Sequence, residues 1–128
     1  MTFTKLVLNQ RLVESLYTKG YLTPTPIQLQ SIPLILDGKD IFGCAQTGTG
    51  KTAAFALPIL QFLHDKRDVT QKRTIKALVL APTRELASQI YDSFRTYGSN
   101  YKLNSAVVFG GVSQVSQVST IRNGVDIL

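Results

Sequence analysis

A chain of 128 residues, 44% of them hydrophobic and 17% charged, suits one modest core and excludes a fibrous or low-complexity protein. Its single cysteine, Cys44, excludes an internal disulfide, and a reducing, cytoplasmic setting is expected. A net charge of +6 suits a polyanionic partner without identifying one, and apolar runs broken by Pro33, Pro58 or charges give no expectation of a signal peptide or a membrane span.

In chain order, Asn9 is suited to cap a helix reaching about Lys19, with Leu12, Val13, Leu16 and Tyr17 on one face and Gly20 as its stop. Thr25 and Pro26 open a second helix, because a threonine can accept from first-turn amides and a proline at the first position gives up an amide that has no partner there. That helix runs to about Leu36, ends at Asp37-Gly38 and is expected to kink at Pro33. Residues 40–44 read as a short buried strand, with Cys44 as a small apolar core residue. A glycine-rich turn leads into a long apolar helix from about Gly50 to His64, which Pro58 should bend by pressing on the carbonyl of Ala54.

Residues 66–76 lack apolar periodicity and set Lys66, Arg67, Lys72, Arg73 and Lys76 against Asp68, the composition of a solvated loop. A strand over 77–81, a helix from Thr83 to about Tyr97 ended by Gly98, a strand over 105–109, a helix from Ser113 to about Arg122 and a strand beginning at 125–128 follow. The strands are unbroken apolar runs alternating with helices, the pattern of a parallel sheet covered by helices on both faces, so the fold class is α/β. The closing Val-Asp-Ile-Leu reads as a strand entered but not finished, and the domain is expected to be incomplete at its C-terminus. His64, the only histidine, offers no metal site by itself.

Chemistry concentrates between the first strand and the long helix. Ala45, Gln46, Thr47, Gly48, Thr49, Gly50, Lys51 and Thr52 match the phosphate-loop (P-loop) pattern G-x-x-x-x-G-K-[ST] except at its first position. Gly48 and Gly50 let backbone amides turn inward around phosphate oxygens, and the helix start adds the positive end of its dipole. Lys51 is expected on the β- and γ-phosphates of a nucleotide, with the Thr52 hydroxyl on Mg²⁺. Such loops do not choose a base. The carboxamide of Gln28 can, because it accepts from the adenine N6 amine while donating to N7, a pairing guanine does not return.

The stretch from Gly20 and Tyr21 to Gln28, Gly-Tyr-Leu-Thr-Pro-Thr-Pro-Ile-Gln, resembles the Q motif of DEAD-box RNA helicases, and Phe3, seventeen positions before Gly20, matches that motif's upstream aromatic. Ala45 to Thr52 is similar to the family's first motif, whose opening residue is alanine. Pro82-Thr83-Arg84-Glu85-Leu86-Ala87 resembles motif Ia, and Gly110-Gly111 the family's glycine doublet. The resemblance implies a RecA-like P-loop NTPase domain, with residues 1–128 as the N-terminal portion of the first such domain and the Q motif at about 1–29. It also implies ATP and Mg²⁺ as cofactors, adenine contacts from Gln28 and from Phe3 or Tyr21, and RNA sugar-phosphate contacts from Pro82, Thr83, Arg84, Gly110 and Gly111. A second RecA-like domain is the expected partner in the intact protein.

Hydrolysis needs a further acidic ligand for Mg²⁺ and a group that orients the attacking water. The Asp-Glu-Ala-Asp string that supplies them in the family does not occur in these 128 residues. The isolated chain is therefore expected to bind nucleotide without hydrolysing it. A truncated, non-catalytic ATP- or RNA-binding module is the alternative, and an unrelated phosphate-loop enzyme such as a small kinase is disfavoured by Gln28 and residues 82–87.

Overall fold

The computed structural model describes residues 2–128. A 3₁₀ turn, Phe3–Leu6, precedes five helices: α1 Gln10–Thr18, α2 Pro26–Leu36, α3 Lys51–Asp65, α4 Arg84–Tyr97 and α5 Gln114–Arg122. The capping chemistry read from the sequence is present at the starts of α1 and α4, whereas the Thr25 hydroxyl at the start of α2 makes no cap bond. Asn9 accepts the Leu12 amide at 3.2 Å, and the Thr83 hydroxyl accepts the Leu86 amide at 3.2 Å, each satisfying a first-turn donor. Among the described residues, no helix is long and apolar enough to cross a membrane.

The middle of the core is α3. It packs between α2 and α4, while α1 closes against α4. Leu57 and Leu60 of α3 are buried with Leu12 and Leu16 of α1, Ile32 of α2 and Ile90 and Phe94 of α4. Burying each such side chain contributes roughly 2 kcal/mol, which outweighs the propensity cost of an interior proline at position 58 once the helix is packed. Pro58 is itself buried in this layer.

The expected sheet is only partly formed. Segment 125–128 runs parallel to 77–81 on one side and to 105–109 on the other, through isolated bridges from Ile127 to Ala77 and to Ser105. Hydrogen bonds join the Leu128 amide to the Ala77 carbonyl at 3.0 Å and the Ala106 amide to the Ile127 carbonyl at 3.0 Å. Among the described residues these contacts are isolated bridges and not a longer ladder. The strand expected over residues 40–44 has no bridge partner among the described residues. Ile41 and Gly43 line a cavity of about 400 Å³ together with Val79 and Leu80.

Coverage by helices on both faces is likewise not found. Ala77, Val79 and Ala81 pack on the core, but the alternate residues Leu78 and Leu80 are 64% and 83% exposed. Phe42 is 96% exposed and Cys44 is also at the surface, which corrects the expectation of a buried strand with a core cysteine.

The basic segment 66–76 is not simply a solvated loop. Arg73 turns inward, donating from Nη1 to the buried Asp126 carboxylate and from Nη2 to the Lys102 carbonyl at 2.9 Å. Asp126 also accepts the Asn104 amide at 2.8 Å and lies 3.9 Å from Arg67. One carboxylate on the central segment thereby ties down the loops entering both neighbours.

Candidate functional site

The phosphate loop follows residues 40–44 and ends in the first turn of α3. Gly48 and Gly50 have φ of 78° and 85°, the left-handed region in which a side chain is strained. Gly50 is the N-cap of α3, so no side chain satisfies the first amides, and no acidic residue stands in that turn. Unpaired amides at the positive end of a helix dipole fit a phosphate group. Lys51 lies over the loop and donates from Nζ to the Ala45 carbonyl, while the Thr49 hydroxyl donates to the Gln46 carbonyl at 2.6 Å. Ala45 and Thr52 are half-buried; Gln46, Thr47 and Gly48 are exposed.

Gln28 reaches this loop from α2. Its side chain is 6% exposed, with Oε1 accepting the Thr25 amide at 3.0 Å and Nε2 donating to the Gly50 carbonyl at 3.1 Å. A carboxamide has two N–H groups and two lone pairs, so one donor and one acceptor remain for a base edge. A Cβ on Gly50 would run into the Gln28 amide, so glycine is required there for close approach as well as for its backbone angle. The sequence carried a signal for this arrangement in the Thr25-x-x-Gln28 spacing of a capping box, which directs the glutamine back to the helix start.

The two aromatic candidates separate. Phe3 is 2% exposed and belongs to the hydrophobic core. Tyr21 is 45% exposed and meets Tyr97 edge-on, with ring centroids 5.6 Å apart. Burial, reinforced by Tyr21, pushes the Tyr97 phenol up to about 12.

A second cluster forms at the ends of 77–81 and 105–109. Pro82, Thr83 and Arg84 are exposed at the start of α4, and Gly110 and Gly111 are exposed beyond 105–109. Arg84 bridges them by donating from Nη2 to the Gly110 carbonyl. Gly111 has φ of 72°, and a Cβ there would meet the guanidinium. The sequence did not point to Gln117, whose amide pairs with both backbone groups of Phe109, at 2.8 and 3.2 Å. No residue of its own helix is buried, so no apolar stripe marked which face turns inward.

A family model described as DEAD/DEAH box helicase matches residues 25–128. The ATP-dependent rRNA helicase rrp3 of Aspergillus niger is 52% identical over 116 residues, covering 91% of this chain and 24% of that protein. Its counterpart in Neurospora crassa is 53% identical over the same length, covering 22% of that protein. The chain thus spans about a quarter of the length of these relatives. Among solved structures, a DEAD box protein from Methanococcus jannaschii superposes with a TM-score of 0.88 at 33% identity, over all of this chain and 34% of that one. The RNA helicase Prp28 from Chaetomium thermophilum, bound to ADP, gives 0.80 at 37% identity, over 98% of this chain and 31% of that one.

Proposed function

The chain belongs to the DEAD/DEAH box helicase family, and from that premise we propose that residues 1–128 are the N-terminal, ATP-binding portion of the first RecA-like domain of an ATP-dependent RNA helicase, with the Q motif at about 1–29. The observation that carries this reading is the hydrogen bond from Gln28 to Gly50, which joins a base-reading carboxamide directly to the phosphate loop. ATP binding in a relative's fold is supported by the ADP bound to Prp28.

In this reading the amides of residues 46–52 and the α3 dipole hold the nucleotide phosphates, and Lys51 exchanges the Ala45 carbonyl for phosphate oxygens. Thr52 supplies a hydroxyl to Mg²⁺, the remaining ligands being phosphate oxygens and water. The free donor and acceptor of Gln28 read adenine, and Tyr21 is the ring beside the base. Pro82, Thr83, Arg84, Gly110 and Gly111 contact RNA through sugar and phosphate, so binding is independent of sequence and weakens with salt. A second RecA-like domain completes the machinery in the intact protein. The isolated chain, without the Asp-Glu-Ala-Asp acids, holds MgATP and does not hydrolyse it, which makes it a non-catalytic module on its own.

Calorimetric titration of the 128-residue chain with MgATP and MgGTP tests the nucleotide half. ATP should bind more tightly than GTP, and Lys51→Ala should weaken ATP by about a hundredfold, the loss of a charge-assisted phosphate contact. Equal affinity for the two nucleotides would remove Gln28 from the base site. RNA-dependent phosphate release by this chain would overturn the non-hydrolysing assignment.

A further inference from the structure

We propose that Gln117 is a positioning residue for RNA: its side-chain amide fixes the Gly110-Gly111 turn in a conformation whose exposed backbone receives a sugar-phosphate. The inference rests on the reading of that doublet as an RNA contact.

Three hydrogen bonds carry it. Gln117 Oε1 accepts the Phe109 amide at 2.8 Å, while Nε2 donates to the Phe109 carbonyl at 3.2 Å and to the Ser113 carbonyl at 3.3 Å. The first two reproduce what a neighbouring strand does, exchanging both backbone bonds with one residue. Among the described residues, the backbone bonds of segment 105–109 with 125–128 involve the Ala106 amide and the Ile127 carbonyl, and those of Phe109 are made with Gln117.

On the far side of Phe109, Arg84 holds the Gly110 carbonyl, and Gly111 sits in the left-handed region under its guanidinium. The turn is gripped at two consecutive residues from two different helices. Gly110 and Gly111 themselves remain exposed and carry no side chain, so backbone can approach a ligand closely. Helix α5 contributes no buried residue to the core. The position of Gln117 is therefore not explained by packing, and its polar pairing is the tie between α5 and the turn. A turn already ordered does not lose conformational freedom when RNA binds, so removing the tie shifts that entropic cost onto binding.

The test uses the 128-residue chain, a labelled single-stranded oligouridylate followed by fluorescence anisotropy, and amide hydrogen exchange at Phe109, whose amide Gln117 accepts, read by NMR. Gln117→Leu keeps the side-chain bulk and loses all three bonds. It should weaken RNA by about tenfold, the cost of ordering about one residue at binding, with faster exchange at the Phe109 amide and MgATP affinity unchanged. Gln117→Glu keeps the acceptor for the Phe109 amide and should retain part of the exchange protection. RNA binding by Gln117→Leu equal to that of the parent chain overturns the proposal, as does a parallel loss of MgATP affinity, which reports general unfolding. Absence of RNA binding in the parent chain instead removes the RNA reading of the doublet, and exchange unaltered in Gln117→Leu removes the positioning role by itself.

Discussion

Replacing Gln28 by alanine should destabilise the chain before any nucleotide is added. The buried carboxamide makes two internal hydrogen bonds, one closing the first turn of α2 at the Thr25 amide and one crossing to the Gly50 carbonyl. Each is worth about 1 kcal/mol net, and leaving the two partners half-satisfied adds up to about another 1 kcal/mol, for a total of about 2–3 kcal/mol. In a chain of this length the melting temperature should fall by roughly 10 °C, at about 4 °C per kcal/mol. Chemical unfolding of parent and variant without nucleotide measures the energy, and titration with ATP and GTP measures the base preference. Gln28→Glu separates the two bonds: a carboxylate still accepts the Thr25 amide but cannot donate to Gly50, so it should recover the α2 cap and not the contact with the loop. A Gln28→Ala protein as stable as the parent would refute the bridge between α2 and the phosphate loop, whatever happened to ATP affinity.

Asp126→Ala strands Arg73 and the Asn104 amide around a buried site and should cost about 3 kcal/mol, measured by urea unfolding; a change below 1 kcal/mol would show that the carboxylate ties nothing together. Gly50→Ala forces a side chain into the left-handed region against the Gln28 amide, so stability should drop by about 2 kcal/mol and nucleotide affinity should fall with it, both visible in one thermal-shift series with and without MgATP. Burial raises the phenols of Tyr97 and Tyr101 from 10.0 to about 12. The unfolded chain therefore releases these protons first, so the stability they contribute is complete below pH 10 and is lost as pH rises from 10 to about 12. Ultraviolet titration of folded chain should show two late-ionising tyrosines, and a single transition near 10 for all of them would contradict their burial.

What the sequence made legible was local. Asn9 and Thr83 announce helix starts because capping acts over three or four residues, and the phosphate-loop pattern is readable because its eight positions are contiguous. The expectation that Gln28 reads a base came from side-chain chemistry and family likeness, but its hydrogen bond to Gly50 spans 22 positions and depends on how α2 packs on α3. Arg73 read as one more solvated cation because its partner Asp126 lies 53 positions away, and nothing in a charge run announces which member turns inward. The burial of Phe3 was not legible for a similar reason: whether the core reaches an aromatic near the start of the chain depends on packing. The burial of residues 40–44 was misjudged because an apolar run states a preference for cover, whereas cover itself depends on what lies alongside.

Phe42, Leu78 and Leu80 point that preference outward. Contact between copies through such exposed apolar side chains would remove them from water. Colloidal behaviour, more than thermodynamic stability, then sets how concentrated a solution of the chain can become. Crowded conditions such as recombinant overexpression favour sticky assemblies over monomers, and polar replacements at positions 78 and 80 are the natural route to a well-behaved sample.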